Sequence, residues 1–121
     1  MLEQLFYLVR TAEKILRVEG MDLRLSPLFF RTVAMILKNP EVTADFISKA
    51  IVADKALVAR TLTELEERGL IDRRRNPLDK RSFLLVPTDK LLAVKEQILR
   101  IEKDTETKIR EIAASEGIKL W

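Results

Sequence analysis

Residues 54–81 read DKALVARTLTELEERGLIDRRRNPLDKR, and the fold of the chain turns on this stretch. Asp54 is an N-cap residue, and Leu57, Val58, Leu62 and Leu65 make one apolar stripe. Together they predict a helix over 55–68, capped by Gly69. Leu70 and Ile71, with the polar run 72–75, begin an extended segment. Asn76-Pro77-Leu78-Asp79 has the composition of a turn, and residues 82–86, Ser-Phe-Leu-Leu-Val, read as a strand. A helix thus feeds a β-hairpin. Within 73–81, Arg73, Arg74, Arg75, Lys80 and Arg81 stand against Asp79 alone. The chain as a whole carries only +3, so its positive field is gathered on this hairpin, where it would meet a polyanion.

Upstream, Thr43 caps a short helix over 44–50, expected to bury Phe46, Ile47 and Ile51. Ile51-Val52-Ala53 separates it from the helix at 55, which is the layout of a helix-turn-helix. Glycine is common in such a turn; Val52 stands there instead and is expected to keep an ordinary backbone conformation. Further back, Ser26 before Pro27 opens a helix over 27–37 that Asn39-Pro40 stops. A first amphipathic helix covers 2–18, with Leu2, Leu5, Val9, Ala12 and Leu16 on one face. Gly20 ends it, and residues 23–25 are read as a short extended link.

Downstream, Thr88 or Asp89 caps one long helix in which Leu91, Val94, Ile98, Ile101, Thr105, Ile109 and Ile112 recur at three and four. Gly117 ends it, and Trp121 closes a short tail that either packs on an interface or hangs loose. The fold class read from this order is mainly α with a small β-hairpin wing. It is a winged helix-turn-helix over 26–87, flanked by helical segments 1–20 and 89–121, in a single domain of 121 residues. A seam as long as that of the last helix has little to cover it inside so small a domain, which favours pairing across a homodimer.

Composition removes other classes of protein. The chain has no cysteine and no histidine, so thiolate metal sites, disulfides and the commonest general base are missing. It also lacks a Gly-x-Ser-x-Gly elbow. The expectation is no enzyme, no metal and no cofactor. No apolar stretch approaches the roughly 20 residues of a membrane span, and the N-terminus lacks the layout of a signal peptide, which makes the cytoplasm the expected address.

The stretch 54–81 resembles the recognition helix and wing of the MarR family of transcription regulators. In that family a similar Asp-Lys pair opens the recognition helix, here Asp54-Lys55. A Leu-Glu-x-Arg-Gly-Leu-Ile run closes it, here residues 65–71. An Arg-Arg-x-x-Pro-x-Asp-x-Arg wing follows, matched by 74–81 with one residue of play at the front. A looser likeness extends over residues 1 to about 115. The resemblance implies a homodimer with intertwined terminal helices, recognition helices in successive major grooves of double-stranded DNA and wings in the flanking minor grooves. It implies a regulator, read here as a repressor at a pseudo-palindromic site. It also implies, for many members, release of DNA when a small aromatic or anionic effector binds between lobes. The sequence departs from the family at Ala56, Leu57 and Ala59, near positions where hydroxyl residues are usual. That departure keeps a second reading open, a winged-helix module that binds protein.

The DNA-binding candidates are Lys55, Arg60 and Thr61 on the helix and Arg73, Arg74, Arg75, Lys80 and Arg81 on the wing. An arginine can grip guanine through two hydrogen bonds, contributing roughly 1–3 kcal/mol of discrimination. Asp79, two residues before Arg81, is expected to brace it for a narrow minor groove. Strand alternation places Arg73 and Arg75 on one hairpin face and Arg74 on the other. Phe6, Tyr7, Phe29, Phe30 and Arg31 lie at helical spacings that suit a core as well as a cavity, so no effector-binding residue is named.

Overall fold

A computed structural model describes residues 1–119; Trp121, and with it the expectation for the tail's end, lies outside the described residues. The order is α1 (Leu2–Glu19), α2 (Pro27–Lys38), α3 (Ala44–Ala50), α4 (Lys55–Glu67), β1 (Ile71–Arg75), β2 (Phe83–Pro87), α5 (Asp89–Leu92) and α6 (Lys95–Ser115). The mainly helical class with a two-stranded wing is as the sequence predicts. No helix among the described residues is long and apolar enough to cross a membrane. The chain divides into two compact units, one of residues 1–30 with the segment from Gln97 onward, the other of residues 31–96.

In the first unit, Leu8 and Leu16 of α1 and Ile98, Thr105 and Ala113 of α6 are buried. The expected α1 face is only partly so: Leu16 is buried, Leu2, Leu5 and Val9 remain exposed, and Leu8, outside that stripe, shares the burial. The link after α1 is a turn, not an extended strand. Gly20 is its first residue, with an ordinary φ of −83°. Its carbonyl accepts the N–H groups of Leu23 and Leu25, both at 3.1 Å, and Arg24 sits at φ +57°. Ser26 Oγ then accepts the N–H of Phe29 at 3.3 Å and starts α2.

In the second unit, Val33, Ile36, Ile47, Leu62, Leu65, Ile71, Leu85 and Leu91 are at most 1% exposed and make the core. Burying one such leucine contributes about 2 kcal/mol. The Asn39–Val42 turn has Pro40 at its second position and Glu41 at φ +68°, with the Val42 N–H reaching the Asn39 carbonyl at 3.2 Å. Val42 then bridges Leu85, while β1 and β2 pair antiparallel in the register Ile71↔Pro87, Arg73↔Leu85 and Arg75↔Phe83. Thr43 Oγ1 accepts the Phe46 N–H at 3.2 Å and Asp54 Oδ1 that of Leu57 at 2.8 Å, so both predicted caps are formed. Phe46, expected in the core, is 48% exposed; Ile47 and Ile51 carry that burial. The last helix is two: α5 ends at Leu92 and α6 begins at Lys95.

The turn between α3 and α4 departs from expectation. Val52 adopts φ +52°, in the left-handed region, with its side chain 91% exposed. Ser48 imposes this conformation: its carbonyl accepts the Ala53 N–H at 3.0 Å and its Oγ donates to the Ala53 carbonyl at 2.8 Å. A β-branched residue held there stores roughly 1–2 kcal/mol of strain. Val52→Gly is therefore expected to raise unfolding stability by about 1 kcal/mol after the extra chain entropy of glycine is set against the relief. The denaturant midpoint should rise with the slope unchanged; an unmoved midpoint would show that the turn carries no strain.

Candidate nucleic-acid interface

The recognition helix is fixed at both ends by local chemistry. Asp54 caps its N-terminus. At its C-terminus Gly69 takes φ +73°, its N–H bonding the Glu66 carbonyl at 2.9 Å, while Leu70 N–H reaches the Leu65 carbonyl at 3.0 Å. The carbonyls left over are taken from the α5 side. Thr88 Oγ1 donates to Gly69 O at 2.6 Å and Lys90 Nζ to Arg68 O at 2.8 Å. With Val58, Leu62 and Leu65 in the core, the outward face of α4 is left to Lys55, Ala56, Ala59, Arg60 and Thr63, all exposed.

The wing tip is held by its own polar side chains. Asn76 Oδ1 accepts the Leu78 N–H at 3.0 Å and Asn76 Nδ2 donates to Ser82 Oγ at 3.0 Å. Asp79 Oδ1 accepts the backbone N–H of Arg81 at 2.9 Å. Asp79 thus shapes the turn and leaves the Arg81 guanidinium unbraced, which corrects the expected side-chain pairing. Arg60, Arg74, Arg75, Lys80 and Arg81 are exposed and form no ion pair with a described residue.

Three of the predicted contacts are placed differently. Thr61 is 3% exposed, and its Oγ1 donates to the Leu57 carbonyl at 2.9 Å, so its hydroxyl is spent inside the fold. That corrects its assignment to the DNA face. Arg73 is a clasp between wing and helix: its Nε pairs with Glu66 Oε1 at 3.2 Å and its Nη2 lies 3.4 Å from Thr63 Oγ1, with the side chain 28% exposed. Lys55 pairs with Asp45 Oδ1 at 3.4 Å.

Sequence reading did not single out Asp45 and Lys49. Their i, i+4 spacing on α3 was the available signal. Asp45 Oδ2 lies 3.0 Å from Lys49 Nζ. Lys49, by hydrogen bond and charge, and then Lys55 hold the Asp45 carboxyl below its ordinary value of 3.8. A depressed carboxyl favours the fold above that ordinary value and loses the benefit as pH falls through the lowered one, so Asp45 is ionised throughout the neutral range. A cleft of about 300 Å³ runs between α3, α4 and the wing, lined by Asp45, Ser48, Lys55, Arg73, Arg81 and Phe83 among others. It brings the first residue of the recognition helix and the last cation of the wing to one concavity.

A helix-turn-helix followed by an antiparallel basic hairpin defines the class as winged helix-turn-helix. Residues 25–83 match the model of the MarR family, and this part of the chain is a MarR-family domain. The chain is 33% identical over 83 residues, 69% of this chain and 49% of the relative, to the uncharacterized HTH-type transcriptional regulator YdgJ of Bacillus subtilis. Among solved structures it superposes on a MarR protein from Peptoclostridium difficile with a TM-score of 0.76 and 28% identity, covering 94% of this chain and 71% of that one. A MarR family regulator from Listeria monocytogenes, complexed with 26mer DNA, gives a TM-score of 0.81 at 20% identity and covers 100% of this chain and 97% of that one. The chain spans 37–60% of the length of the curated relatives it matches.

Proposed function

We propose that the chain is a homodimeric transcription regulator, acting as a repressor by occupying a pseudo-palindromic duplex site. In this reading α4 lies in the major groove and the wing tip in the adjoining minor groove. The observation that carries it is the set of exposed cations without ion-pair partners among the described residues, Arg60 on α4 and Arg74, Arg75, Lys80 and Arg81 on the wing. An unpaired arginine gains most from phosphate and from the enhanced negative potential of a narrow minor groove. The Listeria relative's DNA complex supports the partner. The half-exposed α1 residues Leu2, Phe6 and Val9, at three- and four-residue spacing, support the dimer.

Arg60 is the base reader in this account, Lys55 a phosphate contact once released from Asp45, and Arg73 a residue that positions the wing. With Ala56 and Ala59 beside Arg60, few hydrogen-bonding groups reach the bases, so much of the site preference is assigned to DNA shape. The test is duplex affinity against rising salt for the native chain and Arg81→Ala. The expected result is about a tenfold loss at low salt and a salt slope smaller by about 0.9, the share of one phosphate-level contact. A native chain that binds no duplex at low salt would overturn the reading in favour of a protein partner for the apolar stretch of α4. An unaltered Arg81→Ala affinity would remove the wing from the interface.

A further inference from the structure

We propose that Asp45 is an electrostatic restraint on DNA affinity: its carboxylate occupies Lys55, a cation of the DNA-facing cleft, and its α3 neighbour Lys49, and so lowers the grip of the protein on phosphate of any sequence. The inference rests on the DNA-binding reading above. Its geometry is a three-membered cluster. Asp45 Oδ2 lies 3.0 Å from Lys49 Nζ and Oδ1 lies 3.4 Å from Lys55 Nζ. Lys49 belongs to α3 and Lys55 opens α4, so one carboxylate reaches both helices of the helix-turn-helix. It lines the same cleft as Arg73 and Arg81.

Stability gives little reason for the arrangement. The lysine side chains are 77% and 81% exposed, and ion pairs so open to water add little to stability. The effect on an approaching polyanion is larger, because it acts on every contact made there. The cluster presents one net positive charge where the two lysines alone would present two. A phosphate that draws one lysine away still faces the carboxylate well inside the screening length of about 8–10 Å. The carboxyl is ionised at every neutral pH, so the restraint is permanent and is not a pH switch. Lysine stems this exposed are free to swing, which lets the protein keep its fold while the cluster opens on DNA.

The expected result for Asp45→Asn is a three- to tenfold gain in affinity for random duplex at 0.1 M salt, with the salt slope steeper by about 1. A selected site should gain by the same factor within about twofold, since phosphate contacts carry no sequence information. A structural role for Asp45 would not steepen the slope. Lys49→Ala with Lys55→Ala supplies the second arm: if Asp45 acts through the lysines, adding Asp45→Asn to that background should recover less than half of the gain seen in the native chain. An Asp45→Asn protein with native affinity and slope, measured beside a native chain that binds duplex, overturns the restraint and leaves the function standing. A gain that persists in full without the lysines assigns the effect to direct repulsion by the carboxylate and overturns their part. A native chain without duplex affinity overturns the function and this inference together.

Discussion

Glutamate at both Leu2 and Val9 is expected to split the homodimer proposed above and to lower duplex affinity by about a hundredfold or more. The two residues lie on one face of α1, seven apart, and are 64% and 51% exposed in the single chain. Their substitution therefore removes no core contact, and the helical circular dichroism of the variant should match that of the native chain. In the proposed dimer this face is a symmetric apolar seam, so two carboxylates there would meet their own copies across the axis, where like charges leave water without partners. Sedimentation should then give the mass of one chain. The loss in DNA binding follows from valency: a two-headed protein gains about 10²–10⁴ over one head when both half-sites are engaged. A variant that keeps the dimer mass would show that this face of α1 is not the interface. One that becomes monomeric with native affinity would show that each chain binds alone.

Gly20→Ala is expected to destabilise the first unit by roughly 3 kcal/mol, although its φ of −83° is open to any residue. The obstacle is space. A Cβ there would stand 2.6 Å from the Leu25 carbonyl oxygen and 2.8 Å from that of Leu16. Both are backbone atoms, and both residues hydrogen-bond Gly20 itself. The Gly20 N–H bonds the Leu16 carbonyl at 2.8 Å, and the Gly20 carbonyl receives Leu25 N–H at 3.1 Å. Relief of the clash must open these bonds. Thermal unfolding monitored in the native and alanine chains checks the effect, and a change under 0.5 kcal/mol would show that the turn yields without loss.

The elements of this fold were legible wherever one short-range rule decided them. Ser26, Thr43, Asp54 and Thr88 announce their helices because a cap needs only a side-chain oxygen and an N–H three residues on. The basic wing is legible because its charges are consecutive. What escaped depends on direction in space. Phe46 and Ile47 are adjacent and equally apolar, and only the seating of α3 decides which is buried. Thr61 reads as a groove-facing hydroxyl until the helix is rotated into place, and Arg73 reads as a DNA contact until Glu66 is found beside it. Val52 defeated its rule because Ser48, four residues earlier, dictates the turn. The break at 93–94 lies inside an unbroken apolar periodicity, and periodicity marks a face without registering a local interruption of the helix.

At Leu85 the strand β2 has partners on both edges. The Leu85 N–H donates to the Val42 carbonyl at 2.8 Å and its carbonyl accepts the Glu41 N–H at 3.0 Å, while β2 pairs with β1 on the other side. The wing is thus a cantilever clamped at its root: amide exchange near Leu85 must await opening of the whole lobe, whereas the amides of 76–81 exchange by local bending. A DNA-bound wing should reverse this contrast at the tip alone, giving a spectroscopic marker of docking that needs no labelled DNA.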